Sequence, residues 1–165
     1  MFEDAVLLLG GNKGNREALL EKALELLTES QELLLKSHIY ETEAWGGVAR
    51  GPFLNQIVQI GTSLSPIELL DLVQNIESKL GRQRAEPWGD RTMDIDIIFY
   101  GNQQISNERL KIPHPFISER RFVLVPMVEI LPEFIHPVLQ KSISALLQAC
   151  EDRSEVLVYT PGDGR

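Results

Sequence analysis

The stretch Phe53–Gly81, FLNQIVQIGTSLSPIELLDLVQNIESKLG, sets two backbone periods side by side. Over Phe53–Thr62 residues alternate, Leu54, Gln56, Val58 and Ile60 against Phe53, Asn55, Ile57 and Gln59, the period of two of a strand. Ser65 then precedes Pro66, with Glu68 three positions after the serine, which is a capping box with proline at the first helical position. Leu69, Leu70, Val73 and Ile76 follow on one helical stripe to Leu80, and Gly81 supplies the stop. A strand feeding a helix is the unit from which the rest of the chain is read.

Upstream, Ala5–Leu9 (AVLLL) is a continuous apolar run closed by Gly10-Gly11 and reads as a buried strand. Asn15 caps a helix carrying Leu19, Leu20, Ala23, Leu24 and Leu27. Leu33–Tyr40 reads as a strand interrupted by Lys36 and His38, and Thr42–Pro52, with Gly46, Gly47, Gly51 and Pro52, as a loop. Downstream, the loop RQRAEPWGDRT leads into a strand at Met93–Tyr100, whose outer residues Asp94 and Asp96 oppose core-facing Ile95, Ile97 and Phe99. Asn102-Gln103 turns the chain into a short strand at Gln104–Ser106. Arg121–Ile130 reads as a helix despite Pro126, Ser142–Cys150 as another, and Val156–Tyr159 as a last strand. The first hundred residues therefore spell β-α-β-β-α-β. That order makes an α+β, ferredoxin-like core, a four-stranded antiparallel sheet with both helices on one face, extended by C-terminal helices and a short strand.

Composition narrows the function. At 165 residues the chain is one domain, 1–165, with 43% hydrophobic and 24% charged residues, enough to bury a core without cross-links. A lone Cys150 excludes an internal disulfide and a cysteine-based zinc cluster and fits a reducing cytoplasm. The N-terminal apolar run is too short to span a membrane and has acids where a signal peptide would be basic, so neither membrane insertion nor secretion is expected. The net charge of −8 argues against a nucleic-acid partner. Its distribution is uneven: Leu80–Arg121 holds seven basic and six acidic residues, against nine and eighteen elsewhere. Arginines gathered in one stretch of an acidic chain fit a small polyanion or, equally, a solvated face with local ion pairs.

Within that stretch lies Asp94-Ile95-Asp96-Ile97-Ile98-Phe99. Residues two apart on a strand project together, so Asp94 and Asp96 form a like-charged pair that a hard divalent cation would neutralise, magnesium foremost. Alone, the pair also fits two solvated acids balanced by arginines. Its neighbours add Arg82, Arg84 and Arg91 upstream and Arg109, Lys111, His114 and Arg120 downstream. Planar guanidinium forks suit phosphate, and phosphoryl transfer needs chiefly positioning, metal and cationic donors. A non-catalytic ferredoxin-like module would need no such pair, and a nucleotidyltransferase would release pyrophosphate.

The segment Arg91–Ile98 (RTMDIDII) resembles the signature of the 6-hydroxymethyl-7,8-dihydropterin pyrophosphokinases of folate biosynthesis. The likeness continues in Leu9-Gly10-Gly11-Asn12, Phe53-Leu54-Asn55, Ile76-Glu77, Gly81-Arg82-Gln83-Arg84, Trp88-Gly89, Ile112-Pro113-His114, Pro126 and Glu129-Ile130, in family order. The resemblance implies transfer of pyrophosphate from ATP to the pterin's hydroxymethyl oxygen, with AMP released and two Mg2+ ions used. It implies Asp94 and Asp96 as metal ligands and, with Arg82 and Arg91, as the catalytic set. It implies ATP contacts at Gln74, Arg84, Trp88, Ile97, Arg109, Lys111, His114 and Arg120, with Glu77 supporting. The pterin would stack between Phe53 and Phe122 and hydrogen-bond Asn55, with Thr42, Ala44 and Trp45 completing the pocket. Small-molecule substrates, a monomer and a cytoplasmic location complete the expectation. Departures from the family pattern are Phe53 and Pro115 at positions where tyrosine is common, Pro87 and Asp90 in place of a basic residue and a proline, and Glu43-Ala44 in place of a proline-containing stretch.

Overall fold

β1 (Glu3–Gly11) runs through the middle of the sheet, and its sequence explains the placement: Ala5 to Gly11 are all buried, so both faces of the strand are covered. The computed structural model describes residues 2–42, 52–81 and 92–160. Of the loops expected over Thr42–Pro52 and 82–92, residues 43–51 and 82–91 lie outside the described residues, and Thr42 belongs to a strand instead. β1 pairs antiparallel with β4 (Phe53–Thr62) on one side and with β5 (Asp94–Tyr100) on the other. Beyond β4 lie β2 (Glu32–Lys36) and β3 (Tyr40–Thr42), paired with successive parts of that strand, and β8 (Val156–Val158) continues the sheet beside β3. α1 (Arg16–Thr28) links β1 to β2, and α2 (Pro66–Lys79) links β4 to β5. The order β5-β1-β4-β3, with β2 also on β4, is the ferredoxin-like arrangement read from the sequence, widened by β8.

The helix signals form as their residue types dictate. Asn15 Oδ1 accepts from Ala18 N–H at 3.2 Å, Ser65 Oγ accepts from Glu68 N–H at 3.2 Å, and Glu68 Oε1 accepts in return from Ser65 N–H at 2.8 Å. Gly81 follows α2 at φ +87°, a conformation that glycine adopts without steric cost. The outer strand departs from expectation. Leu33–Tyr40 is not one strand but two, because Ser37–Ile39 leaves the pleat. Ser37 bridges the gap: its N–H donates to Ile57 O at 2.9 Å, and its Oγ accepts from Ile57 N–H at 3.0 Å.

Two cores sandwich the sheet. Ala5, Leu7 and Leu9, with Leu54, Val58 and Ile60, pack against α1 and α2. Val6, Leu8 and Ile57 pack on the other face against α3 (Arg121–Ile130) and α4 (Ile143–Ala149). β5 switches phase part-way. Ile97 lies opposite Leu7 but Phe99 lies opposite Val6, so Ile98 is the extra residue of a β-bulge. Phe99 therefore joins Ile98 in the core under α3 and α4. The expectation that it shares a face with Ile95 and Ile97 is corrected by that one residue. A second correction concerns the short strand near Gln104: it is β6 (Ile105–Ser106), and it pairs with β7 (Lys111–Ile112) in a separate two-stranded sheet. No described helix is long and apolar enough to cross a membrane.

Candidate active site

Asp94 on β5 lies directly opposite Gly10 on β1, Gly10 opposite Asn55 on β4, and Asn55 opposite Tyr40 on β3. Directly paired residues share a face, and neighbouring strands lie about 4.8 Å apart, so the Asp94 and Asn55 backbones are about 10 Å apart across Gly10. Asp96 begins the next row on the same face, opposite Leu8 and then Ile57. Gly10 is required there. A Cβ at that position would overlap Asn55 Oδ1 and stand 2.8 Å from Leu54 O, so only glycine lets the buried Asn55 amide reach across β1.

Both ends of the carboxylate segment are anchored. Ile95 N–H donates to Glu77 Oε2 at 2.7 Å, so the buried Glu77 side chain ties α2 to the outer edge of β5. The carbonyl of the bulged Ile98 accepts from His114 N–H at 3.1 Å, which docks the segment after β7 on the same edge. His114 thereby comes within electrostatic range of Asp94 and Arg120. Burial, then the Arg120 charge, push its pKa down to about 4, against the opposing pull of Asp94. Burial also lowers the Arg120 pKa, opposed by Asp96, Glu119 and Asp94. The Arg120 guanidinium carbon lies 5.1 Å from the Phe116 ring centre and 6.0 Å from that of Phe122.

Arg109 Nη2 donates to Asp71 Oδ1 at 2.6 Å and to Gln74 Oε1 at 3.3 Å, which joins two of the expected nucleotide contacts, while Lys111 is exposed on β7. Thr42 and Phe53 lie directly opposite each other two pairs beyond Tyr40 and Asn55, and Phe122 lies in the first turn of α3, partly buried. The Ile97 side chain is buried in the core under α1 and α2, on the face away from Asp94 and Asp96, as its core-facing place on the strand predicts. Any contact it makes with a nucleotide is through its backbone. Arg82, Arg84, Trp88, Arg91, Ala44 and Trp45 lie outside the described residues. The sequence alone assigns no role to Phe116, Asp71, Tyr40 or Glu129. Their partners are 38 to 91 residues away or carry no periodic signal, and Glu129 showed only as part of a family motif.

The family model described as 7,8-dihydro-6-hydroxymethylpterin-pyrophosphokinase (HPPK) matches residues 6–132. The 2-amino-4-hydroxy-6-hydroxymethyldihydropteridine pyrophosphokinase of Aquifex aeolicus (strain VF5) is 42% identical over 135 residues, covering 82% of this chain and 84% of that one. The chain belongs to the HPPK family. The same-named Bacillus subtilis (strain 168) enzyme is 45% identical over 128 residues, covering 76% of this chain and 77% of its own. A crystal structure of Plasmodium falciparum HPPK-DHPS, wild type, with pterin and p-hydroxybenzoate superposes with TM-score 0.72 over 90% of this chain at 17% identity, a likeness of fold. This HPPK chain spans 42% of that solved chain's length. Membership makes it a pyrophosphokinase with ATP as co-substrate.

Proposed function

We propose that Asp94 and Asp96 form the centre of a pyrophosphoryl transfer from ATP to the hydroxymethyl oxygen of 6-hydroxymethyl-7,8-dihydropterin, a folate-pathway step that leaves AMP. The row Asp94–Gly10–Asn55 carries this reading, because it puts an acidic pair and a buried amide on one face of three adjacent strands. The residues fit magnesium: two carboxylates at i and i+2 on one face, with no side chain on the Gly10 opposite. Asp94 and Asp96 would hold the metal, two ions by family likeness, which when bound would offset charge on the phosphate oxygens and ease loss of the alcohol proton.

The chain's own groups do the positioning. Asn55 offers a donor and an acceptor on one planar group to the pterin edge, and Phe53 and Phe122 present aromatic faces to its ring. Thr42, Ala44 and Trp45 complete that side. Arg109, Gln74, Lys111 and Arg120 receive the nucleotide, with Arg82, Arg84, Trp88 and Arg91 supplying the remaining phosphate and base contacts. His114, uncharged at neutral pH, acts as a hydrogen-bonding partner rather than a second cation. Glu77 keeps β5, and with it both carboxylates, in place. A single-domain monomer in the cytoplasm suffices, since one chain supplies every group named. Incubation with ATP, Mg2+ and the reduced pterin alcohol should yield AMP and the pterin diphosphate. Pyrophosphate in place of AMP would assign the centre to nucleotidyl transfer instead.

A further inference from the structure

One carboxylate ties α3 to the outer strand. Glu129, on the last turn of α3, accepts from His38 N–H at 3.0 and 3.2 Å, meets His38 Nδ1 at 2.8 Å and accepts from the Tyr40 hydroxyl at 2.7 Å. These bonds all fall on residues 38–40, where the outer strand breaks and resumes as β3. Burial and the Glu129 hydrogen bond push the Tyr40 hydroxyl up to about 12, so it remains a donor at any working pH. Burial alone would raise the Glu129 pKa, but the bonds from Tyr40 and His38 outweigh it and hold the carboxyl below its ordinary range.

The consequence lies in the strand pairing that Tyr40 begins and at the start of α3. Tyr40 is the direct partner of Asn55, and Thr42 that of Phe53. Phe122 precedes Glu129 by seven residues, two helical turns, so both lie on one stripe of α3. The start of α3 is pinned separately, where Arg121 N–H donates to Asp152 Oδ2 at 3.0 Å. With Phe122 held beside that pin, loss of the Glu129 tie would free residues 38–40, and the strand paired with them, to shift relative to the helix.

We propose that Glu129 is a positioning residue of the pterin pocket, setting the gap between Phe122 on α3 and the Phe53–Asn55 strand by its grip on His38 and Tyr40. This rests on Asn55, Phe53 and Phe122 being the pterin contacts. Glu129→Ala, Glu129→Gln and Tyr40→Phe test it, each measured for pterin KM, ATP KM and Tm. Glu129→Ala should raise the pterin KM about tenfold, as expected for a lost charge-assisted hydrogen bond, and leave the ATP KM within about twofold. Glu129→Gln, which keeps an acceptor, should recover part of the loss, and Tyr40→Phe should lie between it and wild type. An unchanged pterin KM, or pterin and ATP affinities falling together with Tm, would overturn the proposal. If Glu129→Ala fails to fold, Tyr40→Phe alone decides by the same two KM values. A wild-type chain that binds ATP but no pterin would instead overturn the pocket on which the proposal stands.

Discussion

Toward α1 and α2 the sheet is apolar from Leu54 to Ile60, broken only by Gln56, whose amide donates to Ser37 O at 2.8 Å. On its other side the same strands present Asp94, Asp96, Gly10, Asn55 and Tyr40 before the apolar core resumes at Leu8 and Ile57. Each strand thus serves two environments by alternation, one face for stability and the other for a row of polar groups held by that stability. The polar row also needs support that the apolar face does not. Gly10 must lack a side chain, and Glu77 and Ile98 must hold the ends of the acidic segment.

This contrast can be broken from either side. Asp96→Ala should cost the most, about a thousandfold or more in AMP formation, as expected when a metal-holding carboxylate is lost, with Tm near wild type. A folded variant with near-normal turnover would remove the polar face from the chemistry. Leu7→Ala, on the fully buried helix side, should cost about 2–5 kcal/mol in denaturant unfolding while the folded fraction keeps its kcat. A fall in kcat without loss of stability would show that the faces are not divided as described. Gly10→Ala crosses the divide, since the new methyl would displace Asn55: stability should fall by about 1–3 kcal/mol, and the pterin KM should rise more than the ATP KM.

The smallest effect is a pH slope. His136 packs edge-on to Phe99, 5.5 Å between ring centres, and its Nδ1 accepts from Val138 N–H at 3.1 Å and Leu139 N–H at 3.0 Å. Burial lowers its pKa from the ordinary 6.5, so below that pH the unfolded chain binds the proton first. Stability should therefore be full above about pH 6.5 and fall as pH drops through the lowered value. His114, lowered to about 4, acts in the same direction, so the measurement is the difference between wild type and His136→Asn, whose Oδ1 keeps the acceptor without titrating. Equal slopes would sink the assignment.

Most of the apolar face was legible in the sequence. Leu54, Val58 and Ile60 fall at strand spacing, Leu69, Val73 and Ile76 at helix spacing, and Ser65 with Glu68 marks the boundary between them. Asp94 and Asp96 were legible as a pair because one strand carries both. The row they join was not, because Gly10, Asn55 and Tyr40 come together only through the register of four strands. The break at Ser37 and the bulge at Ile98 were equally hidden, since each depends on what the neighbouring strand offers. Nor does local spacing reveal Tyr40 and Glu129, which are 89 residues apart.

The bulge makes Ile98 a spare link in β5. Excising it would restore simple alternation from Asp94 to Tyr100, leaving both acids and both aromatic residues facing as they do now. The same excision would take away the carbonyl on which His114 is moored. A strand one residue shorter would then keep both carboxylates proposed to hold metal while His114, a proposed nucleotide contact, came adrift, so a single in-frame deletion would separate two proposed tasks that point substitutions leave entangled.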